Sequence, residues 1–179
     1  SGVAINSATN QAVIANNKDA TNTIVDLNNN TVIATINVGG GPQAVAIDED
    51  KNIGIITNEK SDAVSILDLS AKTIIKIIPS GKKPRDIAIN KNTQMAYITN
   101  KLGDAIAAID LITYTQKGYI QAGKDPQGIA IDDSTNTAVV ANTKANTVSV
   151  IDISSVPFVI PTPQGRNPEA VAINKASNT

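Results

Sequence analysis

Glycines at positions 39, 81, 123 and 165 and prolines at 42, 84, 126 and 168 recur every 42 residues without a single insertion. Behind each Gly-x-x-Pro comes the same apolar stretch: Val45-Ala46-Ile47-Asp48, Ile87-Ala88-Ile89-Asn90, Ile129-Ala130-Ile131-Asp132 and Val171-Ala172-Ile173-Asn174. A fixed period of this size means that one supersecondary unit is copied along the chain. Such a unit cannot bury its own apolar faces and needs a neighbour to do so. Whatever the fold, it must stack equivalent modules.

The apolar runs decide what the module is. They are short, rich in Ile and Val, and closed every few residues by Asn, Asp, Gly or Pro. A helical repeat would need apolar residues at a spacing of 3.6 over ten or more positions, and none occurs. In the first repeat Val3 to Asn6 reads as strand a, Gln11 to Ala15 as strand b, Thr23 to Leu27 as strand c and Thr31 to Val38 as strand d. In the second, Val45 to Asp48, Ile53 to Asn58, Val64 to Leu69 and Thr73 to Ile78 keep the order. The expected fold is all-β: a β-propeller segment of four-stranded antiparallel blades, residues 1–42, 43–84, 85–126 and 127–168, with 169–179 beginning a fifth. No helix is expected inside a repeat.

Recurrent positions carry further expectations. Ala4, Ala46, Ala88, Ala130 and Ala172 sit in the middle of strand a, the innermost strand, where crowding would exclude larger side chains. Asn16, Asn58, Asn100 and Asn142 close strand b, and Asp26, Asp68, Asp110 and Asp152 close strand c. Both sets are expected to bond backbone groups two or three residues on, because a residue present in every blade serves the blade. In the Gly-x-x-Pro loop, glycine would supply a positive φ and proline a fixed entry to strand a. No helix start follows that could make the loop a phosphate cradle. Pro157, Pro161 and Pro163 are expected on the outermost strand, where missing ladder donors are tolerated.

Composition narrows function mainly by exclusion. There is no His and no Cys, which removes imidazole and thiolate chemistry and any disulfide. Aromatics are 2% and the net charge is −1, so neither base stacking nor phosphate attraction favours a nucleic acid partner. The apolar runs are too short to cross a bilayer as helices, so membrane insertion is not expected. No cofactor, metal ligand set or catalytic residue is expected.

The segment Tyr97-Ile98-Thr99-Asn100, followed by Ile109-Asp110-Leu111 and Gly123-x-x-Pro126, resembles the YVTN repeat family of β-propellers. Val13-Ile14-Ala15-Asn16, Ile55-Ile56-Thr57-Asn58 and Val139-Val140-Ala141-Asn142 match the same positions with small or apolar departures. The resemblance spans all four repeats. It implies an extracellular or cell-surface setting, as in surface-layer and secreted proteins, and a noncatalytic structural or protein-binding role. The alternative is part of a propeller enzyme of the lactonase or lyase kind, its active site lying in blades that this chain does not contain.

If the d–a and b–c loops share one face of the blades, that face carries nine Lys and Arg against seven Asp and Glu. The opposite face carries four against nine. Lys82, Lys83, Lys124 and Arg166 of the Gly-x-x-Pro loops are therefore the candidate partner-binding residues, for a protein or an anionic surface ligand. Asp48-Glu49-Asp50 has the alternating carboxylates of some calcium loops but lacks the downstream glycine and glutamate, and Asp48 reads better as a turn residue. Strand a of the fifth unit, Val171 to Asn174, should pack like its buried equivalents. The terminal blade faces should then be covered by further blades or by self-association with another copy, in an open arc rather than a closed ring.

Overall fold

The computed structural model describes residues 2–154 and 159–163. Every element among them is a β-strand, and the strands form four antiparallel sheets, each built of four strands consecutive in sequence. Blade 1 holds β1 (Val3–Asn6), β2 (Gln11–Asn16), β3 (Thr21–Asp26) and β4 (Thr31–Asn37). Blade 2 holds β5 (Pro42–Asp48), β6 (Ile53–Asn58), β7 (Ala63–Asp68) and β8 (Thr73–Pro79). Blade 3 runs from β9 (Pro84–Asn90) through β10 (Met95–Asn100) and β11 (Ala105–Asp110) to β12 (Thr115–Gln121). Blade 4 comprises β13 (Pro126–Asp132), β14 (Thr137–Asn142), β15 (Thr147–Asp152) and β16 (Val159–Pro163). These are the sheets of a β-propeller. Pro161 and Pro163 lie on β16, the edge strand of its sheet, as expected. Pro157, Gly165, Arg166 and the fifth-unit strand at 171–174 lie outside the described residues.

The chain divides into two compact units, residues 1–84 and 85–179, on the boundary between the second and third repeats. Within the first, β5 of blade 2 lies beside β1 and β2 of blade 1. The seam joins Val13, Ile24 and Val38 of blade 1 to Ile56, Leu67 and Leu69 of blade 2, with Val45, Ile47 and Ile74 at its edge. In the second unit Tyr97, Ile106 and Ala108 of blade 3 meet Ile129, Ile131, Val140 and Ile151 of blade 4. Within each unit, the front of the first blade is thus turned to the back of the second. Ile53, Ile55 and Ile56 are all buried, which explains why that strand reads as a continuous apolar run rather than an alternation.

The turns obey a shorter period than the blades. Non-glycine residues with positive φ stand at Asn10, Ala20 and Asn30, at Asn52, Asp62 and Lys72, and at Gln94, Asp104 and Tyr114. Each closes a hairpin turn, so left-handed backbone recurs about every ten residues. These residues also tie hairpins together: Leu27 N donates to Asn10 O at 2.9 Å and Val38 N to Ala20 O at 3.1 Å.

Three sequence expectations need correction. The strand-a alanines Ala4, Ala46, Ala88 and Ala130 are half-buried, so they are less crowded than their repetition implied. Gly39 and Gly81 do have positive φ, but Gly123 does not. There the requirement is space, since a Cβ on Gly123 would stand 2.6 Å from Cγ of Asn142. Strand a also starts earlier than read, at the proline itself. A register shift between Pro42 and Val45 frees the intervening amides from strand b. The hydroxyl of Thr57 takes one of them, from Ala44 N at 2.9 Å.

Candidate functional site

Two of the four residues that carry the family resemblance in blade 3 fasten it to its neighbour. In blade 3, Tyr97 lies on the front seam. Thr99 Oγ1 accepts from Asp86 N at 3.0 Å and donates to Gln127 O of blade 4 at 2.9 Å, bridging two blades. The asparagine that follows does not make a local turn, contrary to expectation. In blade 2, Asn58 is fully buried, and its Nδ2 donates to Val38 O at 3.0 Å and to Ser65 Oγ at 2.8 Å. Ser65 Oγ also donates to Val38 O at 2.6 Å, closing a buried triangle. Asn142 repeats the strand-c contact with Ser149 Oγ at 2.8 Å and accepts from Gly123 N at 3.0 Å. In blades 2 and 4 the asparagine therefore crosses from strand b to strand c and to the preceding d–a loop, whereas Asn100 of blade 3 reaches only Ile98 O of its own strand, at 3.5 Å.

The strand-c aspartates behave as read. Asp68 Oδ1 accepts from Ser70 N and Ala71 N, both at 2.8 Å, and Asp110 Oδ1 from Ile112 N at 2.7 Å and Thr113 N at 2.9 Å. Those two amides, together with Lys117 Nζ 3.1 Å away, hold Asp110 well below the ordinary carboxylate range. Asp132 and Asp152 are lowered chiefly by the hydroxyl and amide of Ser134 and Ser154. Asp86 moves the other way. Burial raises it, although Ile129 N and Ile87 N both donate to it. Asp48 Oδ1 likewise accepts from Asp50 N at 3.1 Å and Lys51 N at 3.2 Å, which makes it a turn residue. Glu49 Oε1 accepts from Ser7 N of blade 1 at 2.7 Å. Among the described residues no three His, Cys, Asp or Glu side chains are grouped so as to hold a metal ion.

The loops at the b–c and d–a end provide the concave surface. In the second unit a recess of about 260 Å³ is lined by Lys101, Leu102, Asp104, Lys124, Asp125 and Lys144. Asp125 is buried and already engaged: its Oδ1 accepts from Gln127 Nε2 at 2.7 Å, and Lys144 Nζ stands 3.8 Å from its Oδ2. Asp104 Oδ1 accepts from Asp125 N at 3.0 Å. Both carboxylates are thus drawn into the loop framework, leaving exposed Lys124, Lys144 and Leu102, with half-buried Lys101, as the outward chemistry. Of the candidate residues, Lys124 joins this group. Lys82 and Lys83 belong to the first unit, where Lys83 has a positive φ and its amide donates to Asp62 Oδ1 at 2.9 Å. Lys101 and Lys144 were not singled out from sequence. Lys144 shares its repeat position with Lys18 and Lys60, and that recurrence was the available signal.

Comparison with known proteins supports the architecture. No family profile matches the chain, and no characterised protein matches it by sequence. Among solved structures, hydrazine synthase of Kuenenia stuttgartiensis superposes with a TM-score of 0.81 at 26% identity, over 89% of this chain and 49% of that one. A functionally unknown protein from Desulfotomaculum acetoxidans gives 0.77 at 16% identity, over 92% of this chain and 59% of that one. U3-55K gives 0.77 at 12% identity, over 92% and 52%. The chain spans about half the length of the structures it resembles, and the likeness establishes a β-propeller fold.

Proposed function

We propose that this chain is a noncatalytic β-propeller segment of the YVTN type, serving outside the cell or at its surface as a structural and protein-binding scaffold. The observation that carries the reading is the way the recurrent polar residues are used. The repeated aspartates close turns, and the repeated asparagines and threonines fasten strands and blades, so the groups a reaction centre would draw on are committed to the framework. The surface proposed for a partner is the Lys101, Lys124 and Lys144 recess with Leu102 at its rim, more cationic than the larger recess lined by Lys18 and Asp19 in the first unit and suited to an acidic segment bearing an apolar anchor. The rival reading, part of a propeller enzyme, draws on the likeness to hydrazine synthase, of which this chain spans 49%.

The test is titration calorimetry with a Glu/Leu-rich peptide at low and physiological salt. Binding that weakens with salt and disappears in Lys101→Glu/Lys124→Glu/Lys144→Glu, while Lys82→Glu/Lys83→Glu binds normally, supports the reading. Binding indifferent to all five substitutions rejects the recess as the site.

A further inference from the structure

The c–d hairpin of blade 1 differs from its counterparts in sequence. Between β3 and β4 the chain reads Asp26-Leu27-Asn28-Asn29-Asn30-Thr31. Of the twenty asparagines in the sequence, Asn29 alone has a Ser or Thr two residues on with a residue other than proline between them. That triplet is the acceptor pattern for N-linked glycosylation. It is short enough to arise by chance, so its surroundings decide whether it can act.

Three features of the turn favour it. Asn29, Asn30 and Thr31 are all exposed. The exposure belongs to the turn and not to the want of a neighbour. Ala71, Lys72 and Thr73 stand at the same positions in blade 2 and are exposed too, although blade 1 packs on the back of that blade. Asn29 is also free of the framework. In blades 2 and 3 the aspartate that closes strand c holds the amides two and three residues on, those of Ser70 and Ala71 and of Ile112 and Thr113. In blade 1 Asp26 Oδ1 instead accepts twice from Asn28, from N at 2.8 Å and from Nδ2 at 3.0 Å. Asn28 is fixed further by Asn10 Nδ2, which donates to its Oδ1 at 2.7 Å. Last, the two side chains of the motif already meet. Asn29 Oδ1 accepts from Thr31 Oγ1 at 2.6 Å and from Thr31 N at 3.2 Å, with Asn30 between them at a φ of 57°. Asn29 Nδ2 has no partner among the described residues.

We propose that Asn29 is an acceptor for an N-linked glycan. Its Nδ2 attacks the anomeric carbon of an oligosaccharide carried on a lipid pyrophosphate. The C–N bond forms as the C–O bond to phosphate breaks, the lipid pyrophosphate leaves, and one amide proton passes to a base of the transferase. The hydroxyl of Thr31 is the group that the transferase reads. The proposal rests on the extracellular reading above, because this acceptor pattern acts on surface loops of secreted proteins. The c–d turn lies at the opposite end of the blade from the b–c and d–a loops, so the glycan leaves that end of blade 1 open.

The test is to incubate the folded full chain with an oligosaccharyltransferase specific for Asn-x-Ser/Thr and a polyprenyl-pyrophosphate oligosaccharide, and to read the intact mass. One glycan is expected, on the tryptic peptide 19–51, and amidase should remove it to leave an aspartate there. Asn29→Gln and Thr31→Val should carry none, Thr31→Ser should carry it at lower occupancy, and Asn30→Gly should carry it as the parent does. Positions 29 and 31 are exposed, so the melting of the unmodified variants should match the parent and separate a lost glycan from a lost fold. No transfer to the parent, or transfer undiminished in Asn29→Gln, overturns the proposal. Chain recovered from its own cells tells the two readings apart. An unmodified Asn29 peptide in chain taken from the cell surface overturns the glycan alone. Chain confined to the cytoplasm overturns the extracellular reading and the glycan with it.

Discussion

Blades 1 and 2 follow one plan of strands, turns and seam, yet they differ in how completely the plan is satisfied. In blade 2 the asparagine latch is enclosed, with Asn58 and Ser65 fully buried. In blade 1 Asn16 is half-buried and its Nδ2 bonds two threonine hydroxyls, Thr21 at 3.1 Å and Thr23 at 2.8 Å. Where blade 2 has Val64, blade 1 has Asn22, wholly buried with neither Nδ2 nor Oδ1 bonded. Where blade 2 has Asp62 holding the amide of Lys83, blade 1 has Ala20, which has no side-chain acceptor to offer. A repeat can therefore conserve its geometry while its hydrogen bonds lapse one position at a time, because the neighbouring copies still supply the frame.

The largest expected effect comes from breaking the better blade. Asn58→Ala strips Val38 O and Ser65 Oγ of a buried donor, which should cost roughly 2–3 kcal/mol in urea unfolding; Asn16→Ala should cost about 1. Equal losses would mean that burial does not distinguish the two latches. Repairing blade 1 comes next. Asn22→Val replaces two unbonded polar atoms with the residue type that blade 2 uses there, for a gain of about 1–2 kcal/mol. A loss on that substitution would show that Asn22 has a partner. Ala20→Asp should give about 1 kcal/mol or less, by relieving alanine at a φ of 57° and offering an acceptor to the following d–a loop.

The smallest effect extends the contrast to the second unit through pH. The lowered carboxyl of Asp110 contributes stability above its unfolded value, about 3.9, and loses it as pH falls further. Asp86, raised by burial, works in the opposite sense, since the folded state then holds its proton more tightly and stability declines as pH rises through its folded value. Asp110→Asn should flatten the acid side of a melting-temperature profile, and an unchanged slope there would discount the turn as its source.

The strands were legible because a 42-residue period and β-branched runs act everywhere at once. The aspartate turns were legible too, since an Asx turn is settled within three residues. The asparagines were misread for the same reason: Asn58 and Asp68 look equally local in sequence, and only pairing of β6 with β7 brings Asn58 to Ser65. The left-handed positions escaped notice because Ala20, Lys72, Gln94 and Tyr114 are not residues that advertise positive φ. Turn geometry imposes it on them. The lysine recess was half-legible: recurrence pointed to Lys124 and was there to be read for Lys144, whereas Lys101 is brought in by the fold of the b–c loop.

Every sheet pairs only strands that follow one another in the chain. For folding kinetics this means that each ladder closes a loop of only a few residues, an event on the scale of microseconds for a hairpin. A blade can zip as soon as its own residues have left the ribosome, long before the next blade has been made at about 5–20 residues per second. Only the seams must wait. The vulnerable species during synthesis is thus a finished sheet with one greasy face open, and its lifetime is the time needed to translate a single repeat.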